Sequence, residues 1–218
     1  MSRGLFIVLE GIDGSGLSTQ AHSLHRTLAR QGQPSVLTKE PTTGPVGKLL
    51  RRALGDQLSV SEETMGLLFA ADRREHVRQT ILPQLLEGIH VICDRYYLSS
   101  LAYQSRTVSE DWLWHINSFA LIPDVTIFIN LPVQEAMKRI DSRGLEREVY
   151  EEASILNAIR NVFCRLLHEK AQRAGKRIMV VDGRPGIRDV AACITKGVLP
   201  LTDQQRSPLT TLGGDVIG

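Results

Sequence analysis

A segment near the amino terminus restricts the architecture of this chain more than any other. An uninterrupted apolar run, LFIVL at residues 5–9, is followed by the glycine-rich segment EGIDGSGLSTQ at residues 10–20. Such an apolar run predicts a strand that is buried on both faces. Apolar residues then recur at helical spacing from Ser18 to Gln31, before Gly32, which predicts a helix that ends at this glycine. A strand, a glycine loop and a helix in this order are typical of a parallel α/β sheet.

Strands and helices alternate along most of the remaining sequence. Four further apolar runs predict strands at residues 35–38, 89–93, 125–129 and 177–181. Helical periodicity predicts helices at residues 45–53, 65–86, 132–140, 151–174 and 187–198. Pro83 is expected to bend or end the long helix that contains it. We therefore predict one α/β domain over residues 1–199, a five-stranded parallel sheet with helices on both faces, and a flexible tail at residues 200–218.

Composition and charge exclude several classes of protein. Hydrophobic residues make up 42% and charged residues 23% of the chain, which excludes a disordered, collagenous or coiled-coil protein. The formal net charge of +2 is not that of a general nucleic-acid binder. No apolar run approaches the roughly 20 residues that span a bilayer, so no membrane partner is expected. Three irregularly spaced cysteines argue against a disulfide framework and fit a cytoplasmic location.

The glycine loop has the spacing of a phosphate-binding loop. Gly11 is followed by four residues, then by Gly16, one further residue and the hydroxyl of Ser18. Such a loop directs backbone N–H groups at an anion, assisted by the helix dipole, and its serine is placed to meet Mg²⁺. The alternative is a glycine-rich turn that binds no phosphate. The residues predicted to bind the phosphates of ATP are Gly11, Gly14, Ser15, Gly16, Leu17, Ser18 and Thr19.

Leu17 departs from the phosphate-loop pattern. The pattern has a lysine at this position, which reaches the β- and γ-phosphates, and a leucine neither donates a hydrogen bond nor carries charge. Losing one preorganised donor costs on the order of 3 kcal/mol in a catalytic site. Two interpretations stay open: a weakened site that still binds phosphate, and a site in which other cations replace the lysine.

Four further segments, together with the loop at residues 10–14, resemble the thymidylate kinase family. They are KEPTTGP at 39–45, LFAADR at 68–73, DRY at 94–96 and AYQ at 102–104. Their order and approximate spacing are similar to those of the family from residue 5 to about residue 190. The resemblance implies a phosphate-loop kinase fold, transfer of the γ-phosphate of ATP to dTMP in dTTP synthesis, Mg²⁺ as cofactor, and a homodimer.

Asp94 and Arg95 directly follow the third predicted strand, where ligands of parallel sheets bind. A carboxylate there can hold Mg²⁺ or its water, and an arginine can bridge two phosphates; the alternative is an ion pair at the strand end. The resemblance implies that Asp94 acts through Mg²⁺, as Ser18 does, and that Arg95 contacts the acceptor phosphate. It also implies that Asp13 lies near that phosphate or the sugar 3′-hydroxyl, and that Arg51 binds the monophosphate.

Phe69 and Arg73 are four residues apart and share one helical face. An aromatic ring can stack on a base, and an arginine can donate to a base carbonyl; the alternatives are core packing for Phe69, and a solvated charge or a local salt bridge for Arg73. The resemblance implies stacking on thymine by Phe69 and a hydrogen bond from Arg73 to its O4. It implies further contacts with dTMP, or shaping of its site, by Glu40, Pro41, Ser100, Tyr103 and Gln104.

A charged stretch at residues 139–148 includes a glycine and separates two predicted helices. It lies where the family has a mobile lid, at about residues 141–150, and arginines there can close over the ATP phosphates; the alternative is an exposed turn. Our hypothesis is that Arg143 or Arg147 supplies the charge that Leu17 lacks. Two other functions stay open: a weakened or inactive nucleotide-binding relative, or a kinase for another deoxynucleoside or monophosphate.

Overall fold

The structure is a computed structural model that describes residues 3–55, 57–142, 150–169, 171–204 and 207–217. Five parallel strands form its main sheet: β1 Phe6–Glu10, β2 Ser35–Lys39, β3 His90–Asp94, β4 Val125–Asn130 and β5 Ile178–Asp182. Their order across the sheet is β2-β3-β1-β4-β5. The predicted five-stranded parallel sheet is therefore confirmed, and each strand lies within one residue of its predicted position.

Ten helices occur in the described part of the chain. They are α1 Leu17–Arg30, α2 Pro45–Leu54, α3 Glu62–His76, α4 Leu82–Leu86, α5 Tyr97–Gln104, α6 Glu110–Ile116, α7 Val133–Asp141, α8 Ala153–Glu169, α9 Ala171–Ala174 and α10 Ile187–Thr202. None of the described helices is long and apolar enough to cross a membrane.

Side chains of β1 alternate between two apolar layers, as the two-residue period of a strand requires. Phe6 and Val8 pack into the layer that contains α5 and α8. Ile7 and Leu9 pack into the layer that contains α1 and α10. Helices thus cover both faces of the sheet, as predicted, and β1 is buried along its whole length.

The long helix expected at residues 65–86 is divided into three parts. A π-helical turn at Val77–Ile81 separates α3 from α4. Pro83 lies in the first turn of α4, where a proline's missing N–H costs little. The helix therefore does not end at Pro83, and it changes its hydrogen-bond pattern before the proline.

Helices α5 and α6 were not predicted from the sequence. All eight residues of α5 are buried, so the segment has no solvent-exposed face that would mark it as an amphipathic surface helix. Beyond the predicted domain limit, α10 continues to Thr202. Short strands β6 Leu209–Thr210 and β7 Val216–Ile217 pair with each other, and Leu209 is buried. The flexibility of the tail stays a prediction.

The carboxyl ends of three neighbouring strands form the edge at which the predicted site residues meet. In the strand register, Asp94 of β3 lies beside Leu9 of β1 on one side and Lys39 of β2 on the other. The glycine loop follows β1, Glu40 follows β2 and Arg95 follows β3. Parallel pairing of these strands therefore assembles the site.

Candidate active site

A cavity of about 610 Å³ opens at this edge of the sheet. All the predicted site residues that the structure describes line it, except Gly11, whose carbonyl oxygen accepts a hydrogen bond from Arg95. Arg143 and Arg147 lie outside the described residues. The structure thus brings the predicted phosphate-binding and acceptor-binding residues into one cavity, and the individual roles of these residues stay predictions.

The glycine loop has the backbone conformation of an anion-binding loop. Gly14 and Gly16 have φ angles of 79° and 92°, which side chains rarely permit. A Cβ at Gly14 would also lie 2.6 Å from the carbonyl oxygen of Ala136, so no side chain fits there. The Ser15 hydroxyl is buried and has no hydrogen-bond partner among the described residues. A buried unpaired hydroxyl is costly, and a phosphate oxygen would pair it.

Leu17 is the first residue of α1, and its side chain belongs to the protein core. It is 5% exposed and packs in the same apolar cluster as Leu9, Ala21 and Ile129. The position that carries a lysine in the phosphate-loop pattern therefore contributes to packing here and offers no charge to the cavity. Any cation that compensates must come from another element.

Ser18 and Asp94 place two oxygen ligands beside the loop. The Ser18 hydroxyl donates a hydrogen bond to the Asp94 carboxylate, which joins α1 to the end of β3. Mg²⁺ takes oxygen ligands and is commonly held by one or two protein groups together with substrate phosphates and water. The two side chains fit such a site, and the described residues contain no cluster of three or more His, Cys, Asp or Glu that could enclose a metal by itself.

Arg95 joins the glycine loop to the acceptor side of the cavity. Its Nη2 donates to Asp13 Oδ1 at 2.6 Å, and the Tyr103 hydroxyl donates to Asp13 Oδ2 at 2.8 Å. Arg95 therefore forms an ion pair near the strand end, as the alternative interpretation expects, with Asp13 as its partner; its contact with a phosphate stays a prediction. Arg95 is also the one described non-glycine residue with a positive φ, 68°. Such strain persists where surrounding contacts impose it, which is common at functional sites.

Arg73 is completely buried, so neither alternative considered for it is correct. Nε and Nη2 approach Glu40 Oε2 at 2.8 and 2.7 Å. Nη1 donates to Asn117 Oδ1 at 2.5 Å and Nη2 to Ser100 Oγ at 3.0 Å. A guanidinium has five N–H donors; three make these hydrogen bonds, Nη2 is also close to Glu40 in the ion pair, and one N–H of Nη1 has no partner among the described residues. The network holds a fixed positive charge at the cavity wall.

The remaining acceptor-side residues combine structural and exposed groups. Phe69 packs against the cluster of Leu50 and Met65 and also lines the cavity, so core packing and a ligand-facing surface coexist. Arg51 donates to the carbonyl oxygens of residues 41 and 42, which orders the acceptor loop, the segment of residues 40–44 between β2 and α2. Gln104 donates to the Tyr150 hydroxyl at 3.3 Å, while its Oε1 is buried without a partner among the described residues.

Sequence reasoning missed three residues that hold the site together. Glu10 is fully buried and accepts hydrogen bonds from the Ser99 hydroxyl and the Tyr96 N–H. Burial raises the pKa of Glu10 from 4.5 to about 7, although Ser99 and the charge of Arg95 lower it. A glutamate that ends an apolar strand was the available signal for this residue. Asn117 and Tyr150 carry no comparable local signal, because their partners are remote in sequence.

Comparison with known proteins identifies the family of this chain. A family model described as thymidylate kinase matches residues 9–194. The chain belongs to the thymidylate kinase family. This membership, together with the described sheet, makes the fold that of a phosphate-loop kinase and the protein a nucleotide kinase that uses ATP.

Individual members of the family are similar over most of their length. A probable thymidylate kinase from Pyrococcus horikoshii is 48% identical over 170 residues, which are 75% of this chain and 83% of that one. Another from Pyrococcus abyssi is 44% identical over 194 residues, 86% and 92% of the two chains. The solved structure of thymidylate kinase from Candida albicans superposes with a TM-score of 0.82 at 27% identity and covers 100% of both chains.

Proposed function

We propose that this protein transfers the γ-phosphate of ATP to dTMP, which gives ADP and dTDP. One observation carries the choice of acceptor. Arg73 and Gln104 both line the cavity, and one N–H of Arg73 Nη1 and the Oε1 of Gln104 have no partner among the described residues. Thymine presents the complementary pair, a carbonyl acceptor at C4 and an N3–H donor, whereas cytosine presents an amino donor at C4. The wall therefore favours thymine or uracil over cytosine.

The remaining groups of the cavity support an acceptor that lies end to end with ATP. Phe69 supplies an apolar ring beside the base, and Tyr103 limits the space near the sugar, since both line the cavity. Arg95 lies 2.6 Å from Asp13 of the glycine loop, and both line the cavity together with Arg51. The phosphate of dTMP is therefore proposed to contact Arg95 and Arg51.

The protein forms no covalent bond to the transferred phosphoryl group in this reaction. A bond forms between a phosphate oxygen of dTMP and the γ-phosphorus, while the bond to the β–γ bridging oxygen breaks and ADP leaves with that electron pair. At pH 7 most dTMP phosphate is a dianion, because its second pKa is about 6, so no general base is needed. The protein aligns the two nucleotides and neutralises their charges.

Backbone N–H groups of residues 14–18 and the Ser15 hydroxyl bind the ATP phosphates. Mg²⁺, which would be held by Ser18 and Asp94 together with phosphate oxygens, supplies neutralisation of the β- and γ-phosphates. Arg143 and Arg147, outside the described residues, are proposed to add positive charge from the lid. A homodimer and a cytoplasmic location are proposed as well, the first from the family and the second from the cysteine content.

Steady-state turnover with a panel of acceptors tests this function. We expect ADP and dTDP to form from ATP, Mg²⁺ and dTMP, and the kcat/KM for dCMP to be lower by at least about 10²-fold, because buried polar groups would be left unpaired. Tight dTMP binding without turnover would indicate the inactive relative, and turnover of thymidine would indicate another kinase. The comparisons do not favour either alternative.

A further inference from the structure

The cavity needs a cation near the glycine loop that position 17 does not supply. Four basic side chains in the described part of the chain line it: Lys39, Arg51, Arg73 and Arg95. Arg73 is paired with Glu40 and Arg95 with Asp13, while Arg51 donates to the carbonyl oxygens of the acceptor loop. The side chain of Lys39 has no hydrogen bond or ion pair to any described residue, so its ammonium group is available to bind a ligand.

The alternation of β2 directs Lys39 towards the glycine loop. Thr38 and Glu40 both contact His76 of α3, at 2.7 and 3.0 Å, so they lie on the α3 face of the sheet. Lys39 therefore lies on the opposite face, together with Ser35 and Leu37.

That opposite face is covered by α1, and successive residues of β2 approach successive turns of this helix. Ser35 Oγ lies 2.9 Å from His25 Nδ1, and Leu37 packs against the cluster that contains Ala21 and Leu24. One step further along the strand, Lys39 is level with the first turn of α1, which begins at residue 17. Leu17 of the same turn packs instead with Leu9 of β1 and Ile129 of β4, so Lys39 would reach the phosphates from the β2 side of the loop.

The neighbours of Lys39 place it at the phosphate end of the cavity. In the strand register it lies beside Asp94, whose carboxylate accepts a hydrogen bond from Ser18. Adjacent strands are about 4.8 Å apart, and the flexible four-carbon stem of a lysine spans such distances. The base-binding groups of Arg73 and Gln104 lie on other elements, α3 and α5.

We propose that Lys39 binds the γ-phosphate of ATP and replaces the ammonium group that Leu17 has removed from the phosphate loop. The proposal rests on the function proposed above and adds a residue of β2 to the groups that neutralise the transferred phosphoryl. It is independent of Arg143 and Arg147.

Three variants at two lysines test this role. Lys39→Met keeps the stem and removes the charge, Lys39→Arg keeps the charge, and Lys48→Met removes the charge of an exposed lysine of α2 that is not in the cavity lining. We expect Lys39→Met to lower kcat about 10²-fold and Lys39→Arg to retain activity within about tenfold of the native protein. Lys48→Met should change kcat by no more than about twofold.

Binding measurements separate γ-phosphate contact from a general structural effect. By calorimetry with Mg²⁺ present, Lys39→Met should weaken binding of a non-hydrolysable ATP analogue about tenfold, a difference of about 1.4 kcal/mol. Binding of ADP and of dTMP should change by no more than about twofold. Equal losses for ADP and the ATP analogue, or an unchanged kcat, would overturn the proposal. Absence of dTMP turnover by the native protein would refute the proposed function, while the two nucleotide affinities would still decide the role of Lys39.

Leu17→Lys provides a second test through non-additivity. Leu17→Lys restores an ammonium group to the phosphate loop. In that background, Lys39→Met should lower kcat by less than about tenfold, since the effects of two residues that serve one interaction are not additive. If Lys39→Met still lowered kcat about 10²-fold in the Leu17→Lys background, the result would count against the proposal. Should Leu17→Lys fail to fold because residue 17 is buried, the comparison of Lys39→Met with Lys39→Arg remains decisive.

Discussion

The acceptor side and the phosphate-loop side of the cavity achieve binding by different means. On the acceptor side, the buried charges of Arg73 and Glu40 are paired with each other and with neutral partners before any ligand is present. On the phosphate-loop side, Ser15 has an unpaired hydroxyl and Leu17 is apolar. The acceptor pocket is therefore preorganised, whereas the phosphate site depends on charge that comes from other elements and from Mg²⁺.

The largest effect is expected from removal of the lid arginines. Replacing Arg143 and Arg147 together by Ala should lower kcat by about 10³-fold or more, because arginines that stabilise the charge of a transferred phosphoryl contribute at least this much. The affinity for dTMP, measured by calorimetry, should stay near the native value, since the acceptor pocket is built from other elements.

The double replacement of Arg26 and Arg30 by Ala is the matched control for the lid variant. These arginines are also four residues apart and are exposed on α1. Their removal should change kcat by no more than about twofold. If the lid variant turned over dTMP at the native rate, the positive charge at the ATP phosphates would not come from Arg143 or Arg147. Lys39 would then be the candidate among the described residues.

Arg73→Met should have the next largest effect and tests how rigid the acceptor side is. Among the described residues it leaves the buried Glu40 carboxylate with His76 as its remaining hydrogen-bonded side chain, and breaking a buried ion pair on one side costs about 3–5 kcal/mol. Urea denaturation should show this loss of unfolding free energy, and dTMP binding should weaken with it. Arg74→Met, which removes an exposed neighbouring charge, should cost no more than about 0.5 kcal/mol. Equal stability of the two variants would contradict the preorganised acceptor pocket.

Glu10 connects the two sides, because it ends β1 and binds Ser99 of α5. Its pKa is raised from 4.5 to about 7, chiefly by burial, so the folded protein holds a proton that the unfolded chain releases. This stabilisation is present below pH 4.5 and is lost as the pH rises through about 7. The charges of Arg95 and Arg73 lower the pKa of Glu10 and so limit the size of this stabilisation.

The pH dependence of the unfolding free energy tests whether Glu10 stabilises the protein at low pH and loses this effect as the pH rises. Between about pH 5 and about pH 8, the unfolding free energy of the native protein should fall relative to that of Glu10→Gln by about 2–3 kcal/mol. The variant has no proton to lose at this position and keeps hydrogen-bonding groups for Ser99 and Tyr96. A constant difference across this range would show that Glu10 does not titrate there.

The sequence was sufficient for the sheet and the glycine loop, because these features are local, and the family resemblance supplied most of the acceptor-side residues that meet in the cavity. Apolar runs mark each parallel strand, and the glycine spacing marks the loop that follows β1. Helix α5 was missed because burial on all sides leaves it no solvent-exposed face. The burial of Arg73 was also missed, because its partners Glu40 and Asn117 are 33 and 44 residues away.

The smallest effect is expected from Gln104→Leu, which separates ligand recognition from stability on the acceptor side. Because Oε1 of Gln104 is buried and unpaired among the described residues, its removal should leave stability unchanged or raise it by up to about 1 kcal/mol. The affinity for dTMP should fall about tenfold, since the base N3–H loses its acceptor. Ser105→Ala is the matched control, because Ser105 also has a buried unpaired oxygen but does not line the cavity. Its removal should leave dTMP affinity unchanged by calorimetry, and a similar loss of affinity in both variants would mean that Gln104 does not contact the base.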